Sequence, residues 1–331
     1  MSANPQLANN PVPPPITAGN GTHDTATMQN ILFSTPGAAD FRGGTIRMVA
    51  SGQTSSTTDV INNADSQILS SADKSNLNGR NAQIVQFSEG DVLTRGTVTA
   101  DGGLNKNGGT IILAAARGVI NGATVQANGG NAPAGIFDAN GNGAPGGNGG
   151  TIVVTAIGGF NNVGLMQANG GTGARAQSRS LATGNGQDAV VSITGVGGTG
   201  GQGGVIAVSS SASANSSRIL ANGGQGGEGG FATAIDTESV ASGNPVARST
   251  ANAGVGGTGG RGGLIVFSGN SNPTGGGSIS INGGQGGNGG TAQSNASAST
   301  NSGSPSAIAN GSGGAGGNGG AAGTLVAVNP G

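Results

Sequence analysis

Asp138, Asn140 and Asn142, in the segment FDANGNG, place oxygen-bearing side chains at alternate positions around a turn. That is how a calcium loop begins, but the bidentate Glu required at its twelfth position is missing, and Gly149 stands there. Calcium is the one candidate cofactor, with a plain turn as the alternative; no other cofactor is expected. A Ser-His-Asp triad would depend on His23, the single histidine, which sits in GNGTHDT and reads as an exposed side chain. Lys74 and Lys106 are the lysines, and neither fits a phosphate-binding loop. Matches to GxGxxG mean nothing in a chain with 73 glycines. A polysaccharide-cleaving site would cluster acids on one face, and sugar binding favours Trp or Tyr platforms. The repeat strands are nearly bare of charge and both aromatics are absent. No catalytic residue is assigned, and the chain reads as a non-enzyme.

Composition narrows the remaining classes. Charged residues are 8% and the formal net charge is −1, which gives no electrostatic footprint for nucleic acid or anionic lipid. Without cysteine, neither a disulfide framework nor a thiol site can form. No apolar run reaches the roughly 18 residues of a membrane-spanning helix. The opening MSANPQLANNPVPPPI has no basic and apolar signal region. It reads as a mature or excised segment of an exported protein with Met1 an added start, so a secreted or cell-surface location is expected. A cytosolic protein beginning at Met1 is the alternative.

The positioning elements recur. A double glycine leads into a short β-type run in GGTIRMVA, GGTIILAAA, GGTIVVTA, GGVIAVSS and GGLIVFSG, from Gly43, Gly108, Gly149, Gly203 and Gly262, and a degenerate sixth is TLVAV at 324–328. A second motif follows: TVTADGG, ATVQANGG, LMQANGG, ILANGG and SISINGG. Ile, Val and Thr in alternation, bounded by glycine and Asn-Gly, specify strands, and breakers exclude helices of note. Units that cannot bury an apolar face alone must stack. The spacing predicts an all-β repeat β-solenoid with Ile111, Leu113, Ile152, Val154, Ile206, Val208, Ile265 and Phe267 facing inward.

Between strand pairs lie tracts such as GGQGGEGG (223–230) and GVGGTGGRGG (254–263), with glycine at most positions. A period of three matches a polyproline-II-type (polyglycine II) helix, whose bare faces let backbones meet and bond as a bundle. The third face would carry Gln225, Glu228, Thr258, Arg261, Gln285 and Asn288 toward solvent. Collagen would need proline in the triplets and unbroken repetition, and neither is present. Disorder and a flexible glycine linker are the other readings.

The stretch TVTADGGLNKNGGTIILAAARGVINGATVQANGG (97–130) resembles the haemagglutinin-type repeats of secreted bacterial surface adhesins and fibres. The later units look more like glycine-rich repeats of bacterial surface proteins. The likeness covers 97–331 and implies a right-handed β-solenoid, export, and a structural or adhesive role. The units depart from the pattern in being irregular and very rich in glycine.

The organisation expected is an extended arm (1–30), a capping or first-coil region (31–96) and a glycine-rich repeat region (97–331). TLVAVNPG begins a unit whose second strand does not follow, which leaves Leu325, Val326 and Val328 uncovered. At the other end Val12, Pro13 and Ile16 lie in a Pro-rich arm able to reach a neighbour. These six residues are the assembly candidates. The expected partners are copies of itself or neighbouring fibre subunits, with no nucleic acid and no membrane insertion. An extracellular structural protein assembling head to tail into a filament is the leading reading. The alternative is an adhesin or fibre-tip module binding a surface glycan or cell-surface ligand through 174–195, 231–253 and 291–310. A third is an ice-binding protein, against which the mixed Gln, Glu, Arg and Asn of the exposed positions counts. Sequons at Asn20, Asn215, Asn295 and Asn310 are as frequent as chance allows in such text.

Overall fold

The computed structural model describes residues 83–328, apart from 136–137, 139, 177–179, 185–188, 193–194, 241 and 270–272. It also gives the backbone of six short strands before residue 83; for these, and for 180–184 and 189–192, only backbone pairing is used. The protein is all-β, with no helix among the described residues. Every strand pairing is parallel, which follows from stacking the same element of successive units rather than folding hairpins.

Each unit begins with the β-type run, which follows a double glycine at Thr110, Thr151, Val205 and Leu264. Gln83–Ser88, Thr110–Ala115, Thr151–Asn162, Val205–Asn215, Leu264–Ser268 and Thr324–Val328 lie side by side in one 12-stranded sheet. The register is strict: Ile84, Ile111, Ile152, Ile206, Ile265 and Leu325 form one column. The second motif builds a seven-stranded sheet that includes Thr97–Thr99, Thr124–Gln126, Leu165–Gln167, Arg218–Leu220 and Ser278–Ser280. Its column is Val98, Val125, Met166, Ile219 and Ile279.

The two columns meet. Ile111, Leu113, Ile152, Val154, Ile206, Val208, Ile265 and Phe267, the residues the alternation points inward, are all buried, and Val125, Met166 and Ile219 pack in the same cluster. Removing such side chains from water, at about 1.5–3 kcal/mol each, drives the stacking. Pairing runs across residues 96 and 97, because Gln67–Leu69 lies against Thr97–Thr99 and Gln83–Ser88 against Thr110–Ala115.

The glycine tracts leave this core as outgoing arms after the second motif and return before the next strand. In each triplet one glycine amide bonds to the same arm of the next unit, as Gly170 to Asn222 O, Gly173 to Gln225 O and Gly223 to Asn282 O. The adjacent glycine bonds across to the opposite arm. One such chain runs from Gly171 to Gly147, Gly201 to Gly171, Gly224 to Gly201, Gly260 to Gly224, Gly284 to Gly260 and Gly320 to Gly284, at 2.7–2.8 Å throughout. Contact this close excludes a side chain: a Cβ on Gly201 would sit 1.9 Å from Gly147 O. Gln225, Thr258, Arg261, Gln285 and Asn288 are exposed as the period predicts, and Glu228 is half-exposed.

The three excursions, read from sequence as loops, contain strands. Ser180–Gly184, Ala232–Val240 and Ala292–Thr300 form one three-stranded parallel sheet, and Ala189–Ser192, Val246–Asn252 and Ser306–Ser312 form another. Ala232, Ala234, Ala247, Ala251 and Ser249 are buried there. Small side chains at alternate positions allow that packing, and their low hydrophobicity hides it from a periodicity reading.

Candidate assembly surface

Asparagine governs how one unit sits on the next. At one corner Thr94, Asn121, Asn162 and Asn215 are buried and joined in series. Thr94 Oγ1 donates to Asn121 Oδ1 at 2.8 Å, Asn121 Nδ2 to Asn162 Oδ1 at 2.7 Å, and Asn162 Nδ2 to Asn215 Oδ1 at 2.8 Å. At the root of the outgoing arms a second series explains the ADGG and ANGG motifs. Asp101 Oδ1 accepts the Asn128 amide at 2.7 Å, and Asn128, Asn169 and Asn222 each accept the amide of the next unit's asparagine, ending at Asn282. Each side chain satisfies a backbone donor that sheet pairing leaves over.

The first series ends at Asn215, and the second ends at Asn282 in an outermost layer made of Ser278–Ser280, the arm 282–290, the strands Ala292–Thr300 and Ser306–Ser312, the return arm 313–323, and Thr324–Val328. In the layers below, Gly256, Gly259 and Gly262 donate to Ala315, Asn318 and Ala321. Their register equivalents Gly316, Gly319 and Ala322 have no amide partner among the described residues. The same holds for Gly283, Gly286 and Gly289 on the outgoing arm, and the carbonyls of Gly317 and Gly320 accept nothing there. The surface therefore alternates free donors and acceptors with a three-residue repeat. Leu325 is 48% exposed, whereas Ile265 directly beneath it in register is fully buried, and Val328 is 49% exposed. Val326 is half-buried.

Open sheet edges are usually blunted by charge or proline. Residues 262–331 contain no Asp, Glu, Lys, Arg or His. Ile16 lies at the opposite end of the same sheet, its backbone paired with Met48, so the candidate assembly residues are not brought together. Val12 and Pro13, like His23 and Lys74, lie outside the described residues.

The Asp138 segment closes on itself. Asp138 Oδ1 accepts the amides of Asn140 and Asn142 at 2.8 and 2.9 Å, and Oδ2 accepts Asn142 Nδ2 at 2.8 Å. Asn142 turns its own Oδ1 to the Val196 amide, 2.8 Å away. A cation here would have to displace these donors. The Asn142 backbone amide, followed by its side chain, holds the Asp138 carboxyl below its usual pKa. Among the described residues no group of three His, Cys, Asp or Glu could hold a metal ion, and no helix is long and apolar enough to cross a membrane.

Sequence reasoning placed Leu325, Val326 and Val328 on this surface but missed the glycine amides beside them. The signal was the triplet period itself, since a bundle that bonds layer to layer must leave one set of amides over wherever layering stops. No family model, curated protein or solved structure matches the chain.

Proposed function

We propose that the chain is an extracellular structural protein, a β-solenoid with a polyglycine-II-type bundle, that joins to copies of itself through its outermost layer. The observation that carries this reading is the uncharged open edge whose donors, acceptors and apolar side chains repeat the pattern used between layers inside the molecule. Such an edge adds strands readily, and main-chain bonds supply the affinity. Nothing catalytic is needed for this role.

The occupant is the outermost layer of a second copy. Stacking on the first strands would leave the glycine arms facing sequence that has no GGxGG tract, the first of which is GGNGG at 146–150. A second outermost layer brings arms of the same period, and an edge with both donors and acceptors can pair with itself about a two-fold axis. Such a pair closes, so the product is a doubled rod rather than an open filament.

Negative-stain electron microscopy and sedimentation of the full chain test this. The chain should form particles of twice the single-chain length. Gly316→Pro with Gly319→Pro should abolish pairing, because proline removes the outward amides while suiting an extended three-residue backbone. At both positions an added Cβ would lie 3.6 Å from its nearest neighbour, so the fold should persist. Single particles at every concentration overturn self-assembly, whereas long filaments overturn the two-fold arrangement and favour head-to-tail growth.

A further inference from the structure

The same outermost layer carries a chemical difference that is expressed wherever that layer is left uncovered. Asn-Gly recurs at the root of each outgoing arm, at Asn128, Asn169, Asn222 and Asn282, and within the arms at Asn148, Asn288 and Asn318. Asn-Gly is the dipeptide in which an asparagine side chain is most open to attack by the following backbone nitrogen, since glycine presents no Cβ to obstruct it. Attack requires that nitrogen to lose its proton and swing toward Cγ, and an amide already donating a hydrogen bond resists both.

Inside the stack every one of these amides is engaged. Gly129 donates to Asn169 O at 2.8 Å, Gly170 to Asn222 O at 2.8 Å, Gly223 to Asn282 O at 2.9 Å and Gly149 to Gln202 O at 2.8 Å. The asparagine side chains are held too, because Asn128, Asn169 and Asn222 each accept the amide of the next unit. In the outermost layer Gly283, Gly289 and Gly319 have no amide partner among the described residues, and Asn282, Asn288 and Asn318 are exposed.

We propose that Asn282, Asn288 and Asn318 are sites of spontaneous succinimide formation and deamidation, while the equivalent asparagines below them are kept inert by the layer above. The glycine nitrogen forms a bond to Cγ as its proton leaves, the Cγ–Nδ2 bond breaks, and ammonia departs. Water then opens the ring at either carbonyl to give aspartate or isoaspartate. The sum is asparagine plus water giving a carboxylate and ammonium, with no oxidation or reduction. Each event places a negative charge on a layer whose residues 278–328 hold no charged side chain, and each isoaspartate adds a backbone atom to a three-residue repeat. An end left uncovered thus loses its ability to pair, so the chemistry acts as a clock on unpaired chains.

The test is peptide mapping by mass spectrometry of the intact protein after incubation in mildly alkaline buffer, at a dilution where sedimentation finds single chains. Asn282, Asn288 and Asn318 should convert at least about tenfold faster than Asn128, Asn169 and Asn222, the effect of one engaged amide hydrogen bond. In the urea-unfolded chain all six should convert at similar rates. Equal rates in the folded protein, or terminal sites as slow as internal ones, overturn the proposal. Gly319→Pro has no N–H to attack with, so Asn318 should stay intact while Asn282 and Asn288 convert as before. Deamidation of Asn318 in that variant would overturn the succinimide route. If Gly319→Pro fails to fold, Gly319→Ala gives the same reading by slowing closure at Asn318 alone.

Discussion

Asn162 hands its Nδ2 hydrogen to Oδ1 of Asn215 at 2.8 Å, with both side chains buried. Asn162 also accepts from Asn121, so it is a link with a neighbour on each side. Asn162→Ala should leave the Asn121 Nδ2 donor and the Asn215 Oδ1 acceptor with only long contacts of 3.4 Å, to Leu165 O and from the Ser217 amide, costing about 1–3 kcal/mol. Exposed Asn282→Ala should stay within about 0.5 kcal/mol. Urea unfolding followed by circular dichroism checks both, and equal stability of the two variants would show that the buried series contributes nothing.

Gly201 and Gly316 occupy arms of the same kind with different surroundings. A Cβ at Gly201 would lie 1.9 Å from Gly147 O, and one at Gly316 would lie 3.6 Å from Gly287 O. Gly201→Ala should therefore lower stability by at least about 1–3 kcal/mol, whereas Gly316→Ala should be near neutral. Thermal unfolding of the pair decides this, and a stable Gly201→Ala would mean the arms pack less closely than their hydrogen bonds require.

The Asp138 carboxylate is stabilised as the anion by the Asn142 amide first and the Asn142 side chain next, which lowers its pKa on folding. The sign follows: its contribution to the turn is present above the unfolded-state pKa and fades as pH falls through the lower folded value. A nuclear magnetic resonance titration should find Asp138 ionising below an ordinary aspartate, with the Asn140 and Asn142 amide signals moving in step. Calcium should leave that titration unchanged, since both carboxylate oxygens already accept hydrogen bonds; a calcium-dependent shift would restore the metal-loop reading.

How much of this was legible depends on what each residue type signals. Ile152 and Val154 alternate with half-exposed neighbours, so period two exposed the inward face at once. The arms were legible for a different reason: glycine at two of three positions has no use except close backbone contact, and Gly224 and Gly260 show that contact. The strand at 292–300 was hidden because alanine and serine alternate there with little change in hydropathy, and the one at 232–240 because its buried face is Ala232, Ala234 and Asp236 rather than Ile235. Asn169 and Asn222 read locally as turn formers, and only parallel stacking in register turns them into acceptors for the next unit. That information lies between units rather than within any one of them.

From Gly223 onward, the residues between the paired glycines join the backbone contacts that hold the arms through their carbonyls alone, as when Gln225 O accepts the Gly173 amide and Gln285 O the Gly226 amide, so their side chains take no part in those bonds. Gln225, Thr258, Arg261, Gln285 and Asn288 point away from the bundle, separated along an arm by three residues, or about 9 Å in an extended threefold backbone. Their identities can change one at a time without disturbing a neighbour's support. The arms thus supply an addressable grid whose chemistry is free to drift or be rewritten while the scaffold beneath it stays fixed.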